Sequence, residues 1–115
     1  MPCSDEYANY VLKICTDADS YSPKATSIDV VAKYGGGSIA NFKYTLSAEV
    51  WNKDYWESRK LLSGTFKKQT PTRVFKISQL KLKKGKNSVR IKGYFHDTVN
   101  GGNFQVKTPA FIVKR

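Results

Sequence analysis

The sequence predicts an all-β fold, a single sandwich of about seven strands joined by Greek-key connections. Three observations predict it. Apolar and polar residues alternate with a period of two over several short segments, the pattern of strands with one buried face. Gly, Asn, Asp and Pro punctuate those segments at short spacing, and no 3.6-residue apolar period sustains a helix. A composition of 40% hydrophobic and 13% aromatic residues in 115 supports a packed core in one domain spanning 1–115.

The first strand is expected over residues 10–16, behind a flexible tail of residues 1–8. A polar loop, 17–24, leads to a strand over 26–34 in which Ile28, Val30, Ala32 and Tyr34 share a face. Gly35-Gly36-Gly37-Ser38 turns the chain into 41–51, the clearest alternation. There Phe42, Tyr44, Leu46, Ala48 and Val50 point one way, and Lys43, Thr45, Ser47, Glu49 and Trp51 the other. Residues 52–56 read as a loop carrying Tyr55 and Trp56. A strand over 58–66 follows, then the Thr70-Pro71 stop and a strand over 73–80 with Phe75 and Ile77 inward. Lys83-Lys84-Gly85-Lys86-Asn87 is a turn into 88–96, where Val89, Ile91 and Phe95 point in and Arg90, Lys92, Tyr94 and His96 point out. Asn100-Gly101-Gly102-Asn103 turns into a last strand, 104–113, with Pro109 at a bend or edge position. This order is immunoglobulin-like. A small OB-type barrel is the alternative.

Charge divides the chain. The net charge is +11, but residues 1–50 carry four basic and six acidic side chains, and residues 51–115 carry sixteen and three. From Arg59 to Lys92 there are twelve basic residues and no acidic one. This asymmetry points to an anionic partner or surface. Enzymatic chemistry is not expected. The single histidine precludes a His-based metal site, and no cofactor or metal is expected. His96 and Asp97 are chain neighbours whose side chains diverge in a strand, and Gly35-Gly36-Gly37-Ser38 lacks the lysine of a phosphate loop. Glu49 and Glu57 are the one carboxylate pair to consider for glycoside hydrolysis, in a chain poor in acids.

The candidate site is a face. In such a sandwich the strands over 41–51, 88–96 and 104–113 share a sheet. Its outward residues are Lys43 and Trp51, then Arg90, Lys92, Tyr94 and His96, then Lys107, with Tyr55 and Trp56 at its edge. Basic groups attract carboxylates, sulfates and phosphates, and aromatic faces stack on sugar rings or bases. An acidic glycan or other acidic surface is the expected partner. Nonspecific single-stranded nucleic acid is a lesser reading, because no RNP1-like signature, zinc finger or recognition helix is present. No apolar run is long enough to span a membrane.

Two cysteines, Cys3 and Cys15, leave a disulfide open; geometry decides it. A bond would favour an exported, secreted or cell-surface protein. No apolar leader follows Met1, so the chain reads as a mature domain or as a cytosolic protein.

The stretch from Ser88 to Asp97, its Asn/Gly turn and the closing Phe104 to Val113 resemble the final hairpin of the secreted lipid-recognition (ML) family of β-sandwiches. Cys3, Ser22-Pro23 and Gly35-Gly36 are similar to that family's start. The family's cysteine in the closing hairpin and its mid-chain cysteine pair are missing here. The resemblance implies a lipid held between the sheets by Phe42, Tyr44, Phe75, Ile91, Phe95 and Phe111. Three functions therefore follow from the sequence: a glycan-binding module, a lipid carrier, or a structural protein-interaction domain.

Overall fold

Alternation in the sequence becomes two stacked sheets in the computed structural model, which describes residues 2–4 and 12–115. The strands are β1 (Leu12–Thr16), β2 (Ser20–Tyr21), β3 (Ser27–Tyr34), β4 (Phe42–Asn52), β5 (Tyr55–Phe66), β6 (Arg73–Lys76), β7 (Lys86–Asp97), β8 (Asn103–Lys107) and β9 (Phe111–Lys114). One turn of 3-10 helix, Ile77–Leu80, follows β6. The smaller sheet has the order β1-β3-β6, and the larger β2-β9-β7-β4-β5, with β8 also on β7. Hairpins join β4 to β5 and β7 to β8, while β5 to β6 and β6 to β7 cross between the sheets. This is an immunoglobulin-like Greek-key sandwich. Among the described residues the two sheets are open and separate, so the closed-barrel alternative falls.

Several boundaries differ from the sequence reading: β2 lies within the expected loop 17–24, β7 begins at Lys86 within the expected turn, and three further differences have a local reason. The loop expected over 52–56 is a tight turn at Lys53 and Asp54, with Lys53 at φ 63°, so both aromatics join the start of β5. The strand expected over 73–80 stops at Lys76; Ile77 and Leu80, three apart, are both buried by the 3-10 turn. The seventh strand splits into β8 and β9 around Thr108-Pro109-Ala110. Residues 10 and 11 of the first expected strand lie outside the described residues. So do residue 1 and residues 5–8 of the expected tail, but Pro2 to Ser4 run beside β1. There the Ser4 N–H donates to Ile14 O, the Thr16 N–H donates to Pro2 O, and Cys3 is disulfide-bonded to Cys15.

Proline breaks each ladder in the same way. The Thr70 N–H donates to Ala32 O at 3.0 Å while its hydroxyl oxygen accepts from the Ala32 N–H at 3.0 Å. Thr108 repeats both bonds with Ile91, each at 2.9 Å. A hydroxyl thus stands in for a carbonyl acceptor at the residue before each proline, where the regular ladder ends, and no buried amide of these two partners is left unpaired.

The inward residues of β4 and β7 meet those of β1 and β3. Phe42 is the hub: its ring lies 5.1 Å from Tyr34, 5.2 Å from Phe66, and 6.4 Å from both Phe95 and Phe104, centroid to centroid. At Gly93 a β-carbon would sit 2.6 Å from the Phe95 ring and 2.7 Å from Ile14 Cδ1, so any larger residue there would have to displace these two core side chains. Arg73 closes one flank, its guanidinium donating to the Tyr44 hydroxyl of β4 at 2.5 Å and to Ser63 O of β5 at 3.0 Å. At the upper end, past the top of β7, the Asp97 carboxylate accepts from the backbone N–H of Val99 and Asn100 and from the Asn100 amide. The Asn100 side chain, then those backbone N–H groups, hold the Asp97 carboxyl below its ordinary value of 3.8.

Two outcomes are expected. Phe42→Ala, which empties the aromatic hub, should destabilise the domain by roughly 3–5 kcal/mol in denaturant unfolding. Because the folded Asp97 is the stronger acid, its contribution is complete above pH 3.8 and is lost as pH falls through its lower folded value. The melting-temperature advantage of wild type over Asp97→Asn at neutral pH should therefore shrink on acidification below that point.

Candidate ligand-binding face

Register fixes what the outer face of the larger sheet presents. Lys43 stands opposite His96, Thr45 opposite Tyr94, Ser47 opposite Lys92, and Glu49 opposite Arg90. On the far side of β7, Lys107 stands opposite Lys92, Gln105 opposite Tyr94, and Asn103 opposite His96. Trp51 faces Trp56 across the β4–β5 turn. The outer face thus carries eight of the nine residues expected on it, in two groups of different character; Tyr55 pairs with Asn52, one step from the Trp51–Trp56 pair, and so points to the other face of the hairpin.

The lower group is internally satisfied. Arg90 Nε donates to Glu49 Oε1 at 2.7 Å, and the guanidinium lies 4.3 Å from the centroid of Trp56. Trp56 in turn meets Trp51 edge to face at 5.4 Å. Arg90 is on the expected face, yet its charge is consumed by a carboxylate 41 residues away in sequence. Tyr55 donates to Glu57 Oε2 at 3.0 Å, a bond that raises the phenol's pKa and lowers that of Glu57. Arg59 pairs with the other oxygen of Glu57. Glu49 and Glu57 are each tied to an arginine, and the register points them to opposite faces of the sheet, so they do not face one another as a hydrolytic pair would.

The upper group is open. Lys92 and Lys107 are direct cross-strand partners of like charge, a destabilising pairing unless an anion sits between them. The Lys92 ammonium lies 5.1 Å from the centroid of Tyr94, which is 45% exposed. His96 Nδ1 is 2.9 Å from Asn103 Oδ1, which orients the ring. Beside them an open groove of about 520 Å³ is lined by Lys43, Thr45, Tyr94, His96, Asn103 and Gln105, together with Tyr44, Phe95 and Phe104. The sequence reading placed Thr45 outward without naming it for the site, and it missed Asn103 and Gln105. Alternation around the inward Phe104 and Val106 was the available signal for the last two, but the seventh strand was read as starting at 104, one residue too late for Asn103.

The inward six, Phe42, Tyr44, Phe75, Ile91, Phe95 and Phe111, all belong to the buried core. Tyr44 and Phe95 both meet Phe66, at 5.6 and 6.0 Å, so their rings fill space against one another.

The expected relationship to the lipid-recognition family is incorrect. The hairpin pattern that suggested it, an alternating strand, an Asp-led turn and a closing strand, is common to sandwiches of many families. The family model that matches, over residues 4–108, is that of the YqgA MG2 macroglobulin domain. No curated protein and no solved structure matches the chain. A match over nearly the whole length, carried by an immunoglobulin-like sandwich, places this chain in the YqgA MG2 macroglobulin domain family.

Proposed function

We propose that the chain is a non-enzymatic, exported binding module that takes an acidic saccharide on its upper sheet face. The observation that carries this is the facing pair Lys92 and Lys107 beside the exposed ring of Tyr94. A carboxylate or sulfate between the two ammonium groups relieves their repulsion, and a sugar ring stacks on the tyrosine. The amides of Asn103 and Gln105 and the ammonium of Lys43 line the adjoining groove, suited to hydroxyl and acid groups of a second residue. The Cys3–Cys15 bond supports an oxidising compartment. The tying of both glutamates by arginines supports a binding rather than a hydrolytic role.

Membership of a macroglobulin-domain family favours a second reading, in which the same lysines receive an acidic patch of a neighbouring protein. A glycan array together with crosslinking in native extract separates the two. Retention of uronic-acid or sulfated glycans supports the first, and a crosslinked acidic protein without glycan retention supports the second.

Lys92→Glu should weaken saccharide binding about 10- to 100-fold, the worth of one charge-assisted contact, and leave the melting temperature nearly unchanged. If heparin retention matches that of the wild type, the face does not bind. Arg90→Glu should behave differently. It sets a second carboxylate against Glu49, whose residue is 7% exposed, and should cost roughly 3 kcal/mol in chemical denaturation.

A further inference from the structure

The strand ends gather a second, separate concentration of charge. Val50 pairs with Val89, Val89 with Phe111, and Lys86 with Lys114, so the β4–β5 turn, the start of β7 and the end of β9 lie at the same end of the larger sheet. The 3-10 turn is fastened to that end by Arg59, whose guanidinium donates to Leu80 O at 2.8 Å and Lys81 O at 2.9 Å. Arg115 does the same for the β2–β3 loop, donating to Pro23 O and Ala25 O. The two arginines are spent on backbone carbonyls, and the lysines are left to solvent. Lys53, Lys81, Lys83, Lys84, Lys86 and Lys114 are all exposed there, with Asp54 in the turn and Glu57 already held by Arg59 and Tyr55.

The same end carries the only two tryptophans of the chain. Trp51 is 43% exposed and Tyr55 is 52% exposed at the tip of the β4–β5 hairpin, braced by the Trp51–Trp56 contact. Amphipathic rings beside clustered lysines suit the headgroup layer of an anionic membrane, where rings sit at the polar–apolar boundary and lysines meet lipid phosphates. The molecule measures 44 × 26 × 22 Å, and a twelve-residue strand spans about 40 Å. The strands therefore run along the long axis and this end is a blunt face about 26 by 22 Å across. Its lysines come from three separate turns and strand ends rather than from one groove, an arrangement that matches a flat surface better than a single polyanion strand.

We propose that this lysine and aromatic end docks on an anionic lipid bilayer, standing the domain on its end with the sheet face free at the side. The site is distinct from the Lys92–Lys107 face, so either can fail alone.

The test is co-sedimentation with phosphatidylcholine vesicles with and without phosphatidylglycerol, read together with tryptophan emission. The wild type should sediment with the anionic vesicles only, and its emission should shift to the blue, since both tryptophans lie at the contact. The triple variant Lys81→Gln/Lys83→Gln/Lys84→Gln should lose about 150-fold in vesicle affinity, at about 1 kcal/mol per lysine. A variant of equal charge from the opposite end, Lys33→Gln/Lys67→Gln/Lys68→Gln, should keep it. Equal loss in both variants, or sedimentation without any emission shift, would overturn the proposal by reducing it to net charge. Binding of heparin or single-stranded DNA through the same three lysines, with no vesicle binding, would overturn it in favour of a soluble polyanion.

Discussion

The groove on the outer face of the larger sheet is positioned by the packing of one aromatic ring on its inner face. Phe42 stands where β4 leaves the upper loops, and Tyr34, Phe66, Phe95 and Phe104 close around it from four other strands or strand ends. Two of these, Phe66 and Phe95, are themselves in ring contact. With period-two alternation, fixing Phe42 inward fixes Lys43 outward, and its pairing with Asp97 sets His96 against Lys43. The groove between β4, β7 and β8 is the outer side of the same register. A one-residue slip would turn the groove into core and the core into surface.

The alternation in 41–51 and 88–96 was enough to place every inward and outward residue of those strands, because side-chain direction is a local property of an extended chain. What sequence could not supply was long-range. The Glu49–Arg90 pair joins residues 41 apart, and nothing at either position marks it. Without it Arg90 reads as a free cation on the face; with it the free positive charge of the face moves upward to Lys92, Lys107 and Lys43. The 3-10 turn at Ile77–Leu80 was hidden for a different reason. Phe75 and Ile77 are two apart and both buried, which imitates a continuing strand, and only Leu80 one turn later shows the change of period. The mistaken family resemblance has the same origin, since hairpin alternation reports architecture rather than ancestry.

Arginine and lysine divide the basic surface between them. Four arginines serve the fold: Arg59 and Arg115 hold loop carbonyls, Arg73 spans from the smaller sheet to β4 and β5, and Arg90 pairs with Glu49 against Trp56. These roles use the several fixed donors of the guanidinium plane, which an ammonium lacks. The excess charge is thus carried by lysines, among them Lys92 and Lys107 on the β7–β8 face and Lys53, Lys81, Lys83, Lys84, Lys86 and Lys114 at the lower end.

The break at Thr108-Pro109-Ala110 has a dynamic consequence. Below it β9 is paired with β7 on one side and β2 on the other; above it β8 has β7 alone. The Thr108 bonds to Ile91 end the stretch that opening would disturb. With one hydrogen-bonded neighbour in place of two, the β8 amides should exchange with solvent ahead of those of β9, within the limit set by Phe104 and Val106, which pack on the core. Asn103 and Gln105 ride on that strand, so the outer wall of the groove is the part of the sheet with the least backbone support.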